Sequence, residues 1–575
     1  MKKVLLTADF AVIGGGISGM CAAIAAARAG AKVVLMHDRP VLGGNASSEI
    51  RLWICGAHGD HLRETGIVEE FILENQYRNP EGNYSLWDSV LYSAIRREKN
   101  ITLLLNTACL EAAMDGDRIA SVTGYQSAAQ TFFTVSAPLF ADCSGDSVLA
   151  PLTGAEFRQG REARGEFDES IAPEEADLKT MGMSCLLQAR ETTEPHDFIA
   201  PEWANHYEND EAFTLRSPQL ETWQNFWWIE LGGTGDAIHD VDHCRDELQK
   251  IAFGVWDYLK NHPANRAKYR NWELEWVGAL PGKRESRRYV GDVIMNQNDV
   301  ARGGDFPDTV AYGGWTMDDH HPEGFHYPGK PTIFHPAPSP YGIPYRSLYS
   351  KNIANLMFAG RNISVTHSAL SSTRVMATCG LLGEAVGTAA GLIKKYGCSP
   401  RDIYTSHLDE LQQNLMKHDL YLPRLRYRVP AWTAAAELRA SSGNPAGLRA
   451  GVNRVIDGRD LAWRTELGGS VEYRWDKPTF VPESRIIFDS DLARRVLNIV
   501  AMRFLDTPRY RLPESLVKKF RLESCDAAGV WSEVATIDDN FRRLALIPIG
   551  KEVTALRLTV LESWGCDKVK IFAWD

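Results

Sequence analysis

The sequence predicts an α/β fold joined to an all-β module, on three observations. A buried strand, a GxGxxG turn, a small-residue helix and a second buried strand follow one another within residues 10–36. A second strand, turn and small-residue helix lie at 355–387, so two halves of one Rossmann-like domain flank residues 156–345. From about residue 446 the pattern changes to short alternating strands with polar turns, as in a β-sandwich. The expected organisation is a nucleotide-binding domain in two parts, 1–155 and 346–430 (the second with a helical extension), an inserted α+β substrate domain at 156–345, and a sandwich at 446–575.

The chain has 575 residues, of which 44% are hydrophobic and 24% charged, which excludes disordered, collagen-like and coiled-coil chains. A formal charge of -11 argues against a general nucleic-acid binder. The opening residues read as a strand and not as a signal peptide, because Asp9 interrupts the apolar run. Apolar stretches are broken by Gly or charge, so no membrane-spanning helix is expected. The ten cysteines include no CxxC pair, which points away from zinc ribbons and iron–sulfur clusters and toward reduced thiols in a cytoplasmic protein.

Each element of the first unit has a mechanical reason. Residues 10–13 form the first core strand, and Gly14 permits the tight turn after it. Gly16 lets the backbone approach a pyrophosphate, with Ile17 and Ser18 in the same cradle, and Gly19 lets the helix over residues 20–30 pack on the sheet. The helix N-terminus offers free N–H groups to phosphate. The ribose position after the second strand, 32–36, falls on His37, with Asp38 next; either residue can serve. Arg39, Gly43, Gly44, Asn45, Ser47 and Ser48 then form a Gly-Gly loop with small polar side chains. A strand and turn bring Cys109, and residues 139–146 end a strand in the turn Ser144-Gly145-Asp146. Gly360 and Arg361 close another strand, and Arg374, Val375 and Met376 open the late helix.

The loop at 38–51 resembles the extended FAD signature of glutathione-reductase-like flavoproteins, and residues 139–146 resemble the turn that closes the adenosine site in that superfamily. With 282–292, 343–348 and 358–387, these segments resemble the FAD-dependent oxidoreductase family over residues 5–395. The resemblance implies FAD as cofactor, an enzyme, and cofactor contacts from the residues just named. It carries no substrate. Many such proteins place Asp where Arg361 stands, so that contact must come from elsewhere. No second GxGxxG occurs between strand and helix, so the electron acceptor must reach the flavin by another route.

The insertion is rich in aromatics, among them Trp223, Phe226, Trp227, Trp228, Trp256, Tyr258, Trp272, Trp276 and Trp315, which serve either as core or as flat faces for a sugar-like ring. Residues 224–231 read as a strand. Arg284 and Arg287 are candidates to bind substrate or flavin. His320, His321 and His326 read as a loop without metal-ligand spacing, so no metal is expected. For alcohol oxidation a base must take the O–H proton, and His367, His58 and the loop histidines His320, His321 and His326 are the candidates, His367 first. The expected reaction is hydride transfer between flavin N5 and a small polar substrate, with sugars as the candidate class. The alternatives are reduction of an activated double bond, or a carbohydrate-binding protein on a vestigial flavin fold. The tail resembles galactose-binding-like jelly rolls, whose role here is glycan recognition, cover for the active site, or a homo-oligomer contact.

Overall fold

The computed structural model describes residues 1–495 and 498–575. They fall into two compact units, the first made of 1–58, 82–411 and 498–509, the second of 59–81, 412–495 and 510–575.

The first unit is built on a five-stranded parallel sheet. Its order is Leu356–Phe358, Leu139–Asp142, β2 (Phe10–Ile13), β3 (Val33–Met36) and Ile101–Leu104, and every pairing is parallel. β2 and β3 are buried along their whole length, which is why they read as unbroken apolar runs. The opening strand β1 (Lys2–Thr7) pairs with Thr131–Ser136 in a separate four-stranded sheet completed by Arg118–Gln126 and Thr107–Asp115.

Helix α1 (Ile17–Arg28) packs on the helix Met376–Tyr396, and small residues allow the approach. A Cβ at Gly383 or Gly387 would run into the backbone of Ser18 or Ala22. Met376–Tyr396 also corrects the reading of apolar length: its 21 residues, with a mean hydropathy of 1.4 in the best window, suffice to cross a bilayer, yet 89% of that window is buried inside the protein.

In the inserted region the helix Val241–Asn261 buries Leu248, Ile251, Val255 and Leu259 at helical spacing. They join a core with Phe226, Trp228, Trp256 and Trp272, so most of these aromatics are packing residues. The strand expected over 224–231 shrinks to Glu230–Leu231, because the residues before it make a tight turn with Phe226 at φ 59°. His320 is no loop residue: it ends the strand Met317–His320, which pairs with Thr332–His335. Met502–Arg503 also belongs to this unit, in parallel with Ala189–Arg190.

The second unit is a β-sandwich joined by the helix Ile67–Arg78, whose Leu73 enters the sandwich core. Its main sheet centres on two long strands, Ser470–Phe488 and Leu544–Ser563, whose register shifts after Arg474 and Val481. Trp463, Tyr473, Phe488, Phe520 and Trp574 fill its core. It begins earlier than residue 446, since Glu437–Ala440 pairs with Ser470–Phe488. Two buried ion pairs, Arg543–Asp419 at 2.8 Å and Arg485–Asp575 at 2.7 Å, tie its connecting segments to the sheet.

Candidate active site

A cavity of about 450 Å³ opens at the carboxyl ends of β2, β3 and Leu139–Asp142, where open α/β sheets bind ligands. Gly14, Gly16, Ile17 and Ser18 form one wall. Gly14 has φ 106°, and a Cβ there would strike the Cys143 backbone. Gly43 and Gly44 lie across from Gly16: the Gly43 N–H donates to Gly15 O at 2.9 Å, and a Cβ on Gly44 would sit 3.1 Å from Gly16 Cα. Two glycine loops therefore meet backbone to backbone.

His37 lines the cavity but its ring is committed to this loop. The Gly15 N–H donates to Nδ1 at 3.0 Å and Nε2 lies 3.0 Å from Val41 O. Burial pushes its pKa down to about 4, so the ring is neutral and accepts at Nδ1. Asp38, 61% exposed, also lines the cavity, with one carboxylate oxygen 3.3 Å from His37 Nδ1. Arg39 and Asn45 also line the wall, Asn45 donating from Nδ2 to Lys283 O at 3.1 Å.

The opposite wall is shaped by Asp142. Its carboxyl accepts from Ser144 N, Ser144 Oγ, Leu149 N and Tyr289 OH at 2.6–2.9 Å, which folds the turn Ser144-Gly145-Asp146 against the cavity. Asp146 pairs with Arg361 and, at 2.8 Å, with Lys283. Burial opposes its ionisation, but Arg361 and Lys283 outweigh burial and hold its pKa at about 2. Asp146, Gly360 and Arg361 all line the cavity. Cys109 lines this side with its thiol pushed up to about 12 by burial, which keeps it unreactive.

At the far end a charged network faces the cavity. His320 Nδ1 is 2.7 Å from Glu230 Oε2, and Nε2 is 3.2 Å from Asp318 Oδ2. Arg374 Nη2 donates to the same Asp318 oxygen at 3.2 Å, and Thr332 Oγ1 donates to its other oxygen at 2.5 Å. Burial alone would raise the Glu230 carboxyl, but Arg284 and His320 hold it below the usual carboxylate range. Trp227, Trp315 and Asn225 complete this end, and Val375 and Met376 bring the N-terminus of the late helix to it.

The family model described as FAD dependent oxidoreductase matches residues 9–415. The chain belongs to that family. No curated protein matches it. Among solved structures, a geranylgeranyl bacteriochlorophyll reductase-like protein of Thermoplasma acidophilum is 13% identical over 72% of this chain and 84% of its own, with a TM-score of 0.31. The p-nitrophenol 4-monooxygenase of Pseudomonas putida is 12% identical over 72% and 84%, with a TM-score of 0.30. The family 32 carbohydrate-binding module of Streptococcus pneumoniae EndoD is 20% identical over 26% of this chain and 95% of the module, with a TM-score of 0.19.

The cavity suits FAD, the cofactor of this family. Side chains at Gly14, Gly43 or Gly44 would crowd its glycine cradle, and Arg39 Nη1 and Arg361 Nε are buried donors with no protein partner. The structure also separates the expected contact residues. Gly19 lies behind the wall, where a Cβ would strike the Gly14 carbonyl. Ser47 is fully buried and its Oγ accepts from Glu49 N, while Ser48 N–H donates to Asp88; neither lines the cavity.

Four of the expected catalytic residues are misplaced for that task. His58 stacks on Trp315 at 4.3 Å and supports the ring without lining the cavity. His326 is exposed in a short turn. Arg287 lies over Phe157 at 5.4 Å, away from the cavity. His367, 4% exposed, is locked between Glu285 Oε2 at 2.8 Å and Asp319 Oδ1 at 3.1 Å and does not line the cavity. Arg284 does line it, but its terminal nitrogens are spent on Ser184 Oγ, Trp227 O and Gly182 O. Sequence reasoning weighed His320 only as one histidine of a loop, and it passed over Asp318. Their i, i+2 spacing in Met317–His320 was the available signal, since alternation turns both to one face and Asp319 to the other.

His367 yields a pH prediction. Burial alone would lower its pKa, but Glu285 and Asp319 outweigh burial and raise it from 6.5 to about 10. The raised pKa means that the charged ring stabilises the fold. That contribution is full below pH 6.5, declines between 6.5 and 10, and is lost above. The melting temperature is expected to fall across that window, by a contribution on the order of a few kcal/mol. His367→Gln should lower stability at neutral pH and flatten the slope; an unchanged slope in the variant would refute the assignment.

Proposed function

We propose that the protein oxidises a small polar alcohol, a sugar or sugar derivative, by hydride transfer. Bound FAD supplies the two-electron acceptor. The placement of His320 at the cavity carries the reading. Glu230 Oε2 takes Nδ1–H at 2.7 Å, which orients the ring; the longer 3.2 Å contact of Nε2 with Asp318 Oδ2 gives way to a substrate hydroxyl, so that Nε2 is the end that exchanges a proton. A substrate hydroxyl beside Nε2 gives up its proton there as hydride leaves the adjacent carbon. Trp227 meets His320 edge to face at 5.2 Å, and with Trp315 it presents the flat apolar surface that sugar rings stack on. The chain lacks a second GxGxxG between strand and helix, so the electrons pass to an acceptor that enters from solution.

Arg374 favours a second reading, reduction of an activated double bond, because its unpartnered Nε is suited to polarise an acceptor carbonyl. One experiment separates the two. The FAD-loaded protein is mixed anaerobically with a panel of sugars, polyols, sugar acids and hydroxy acids, and the oxidised-flavin band is followed. Bleaching by a member of the panel is expected. If none bleaches it, while the chemically reduced protein is reoxidised by an enoate, the oxidase direction is wrong.

A further inference from the structure

We infer that the substrate carries a carboxylate, as in a sugar acid or a hydroxy acid, and that Asn225, Trp315 and Arg374 receive it. The inference rests on the proposed function for the location of the substrate end. Three buried nitrogens there have no protein partner: Asn225 Nδ2, Trp315 Nε1 and Arg374 Nε. All three residues line the cavity, and all three atoms are donors. The acids nearby are already matched. Asp318 accepts from Thr332 and Arg374 and lies 3.2 Å from His320 Nε2, and Glu230 faces His320 and Arg284, its one oxygen without a hydrogen bond lying 3.4 Å from Arg284 Nη1.

What the wall lacks is therefore acceptors. A neutral polyol brings a proton with every oxygen and would leave those protons unmatched. A carboxylate brings only acceptors, with room for several N–H groups, and its bond to a guanidinium is charge-assisted. The backbone supports this. Asn225 is 1% exposed, its Oδ1 accepts from Trp227 N at 3.2 Å, and this leaves Nδ2 as the unused end of the amide. Phe226, between them, is held at φ 59°, a conformation costly for a residue with a Cβ and typical of binding sites that over-determine their geometry. Asn225 and Trp315 both come from the inserted region, outside the glycine loops of the nucleotide end.

The test is binding, read as perturbation of the flavin spectrum in the FAD-loaded protein. The probes are matched pairs: acetate and acetamide, glycolate and ethylene glycol, D-gluconate and D-glucitol. At least one carboxylate is expected to bind about tenfold or more tightly than its neutral twin. Trp315→Phe, which keeps a smaller aromatic face and removes the N–H, and Asn225→Ala should each weaken that carboxylate about five- to twentyfold, and by clearly more than its neutral twin. Equal binding within every pair, no perturbation by any carboxylate, or equal loss for both probe classes in the variants overturns the inference. Carboxylate binding without bleaching by any sugar, polyol, sugar acid or hydroxy acid would sink the proposed oxidation alone. Bleaching by neutral sugars with no carboxylate preference would sink this inference alone.

Discussion

Replacing Gly19 with alanine is expected to leave a protein that no longer retains FAD. The added Cβ would fall inside the contact distance of the Gly14 carbonyl oxygen and lie 3.1 Å from Cys143 Cβ. Gly14 cannot yield, because it turns at φ 106° against the Cys143 backbone. The obstruction is backbone on both sides, so relief means moving α1 away from β2 and opening the cradle that Gly16 and Gly44 share. The flavin-to-protein ratio after gel filtration measures the effect. Gly165→Ala is the control, since a Cβ there meets nothing within 4 Å; it should keep the wild-type ratio. A Gly19→Ala protein with full flavin content would show that this turn does not hold the cofactor.

The second large effect is expected at His320. His320→Gln should retain FAD but slow flavin reduction by substrate by about 10²- to 10⁴-fold, the usual range for loss of a positioned general base. Glutamine can still donate one hydrogen bond, to Glu230 or to Asp318, but cannot take a proton from a hydroxyl. The comparison with His367→Gln is informative. His367 is bound by two carboxylates on the far side of the same strand, so its loss should appear first in thermal stability. A His320→Gln enzyme within about threefold of wild type would remove His320 from the chemistry, because the loss of a general base costs far more.

Much of the nucleotide end is legible because its determinants are local. Within residues 10–36 a strand, a turn and a helix are specified by apolar runs, by glycines at fixed offsets and by alanine content, none of which needs a distant partner. The same holds for the alternating strands of the sandwich and for the turn at 144–146. The substrate end is different. His320 becomes a cavity residue only because its strand pairs with Thr332–His335 and because Glu230, ninety residues earlier, reaches Nδ1. His367 stood beside a flavin motif in sequence, yet packing placed it between two acids behind the wall. His37 occupied the ribose position, yet a hydrogen bond from Gly15 claimed its ring.

Apolar periodicity and glycine spacing therefore determined the fold class, the glycine cradle and the family. Which imidazole meets the cavity, which carboxylate pairs with Arg361, and which donors stay unpartnered were decided by tertiary contacts. The physical reason is that periodicity and turn chemistry act over a few residues, whereas burial and ion pairing depend on which distant segments meet.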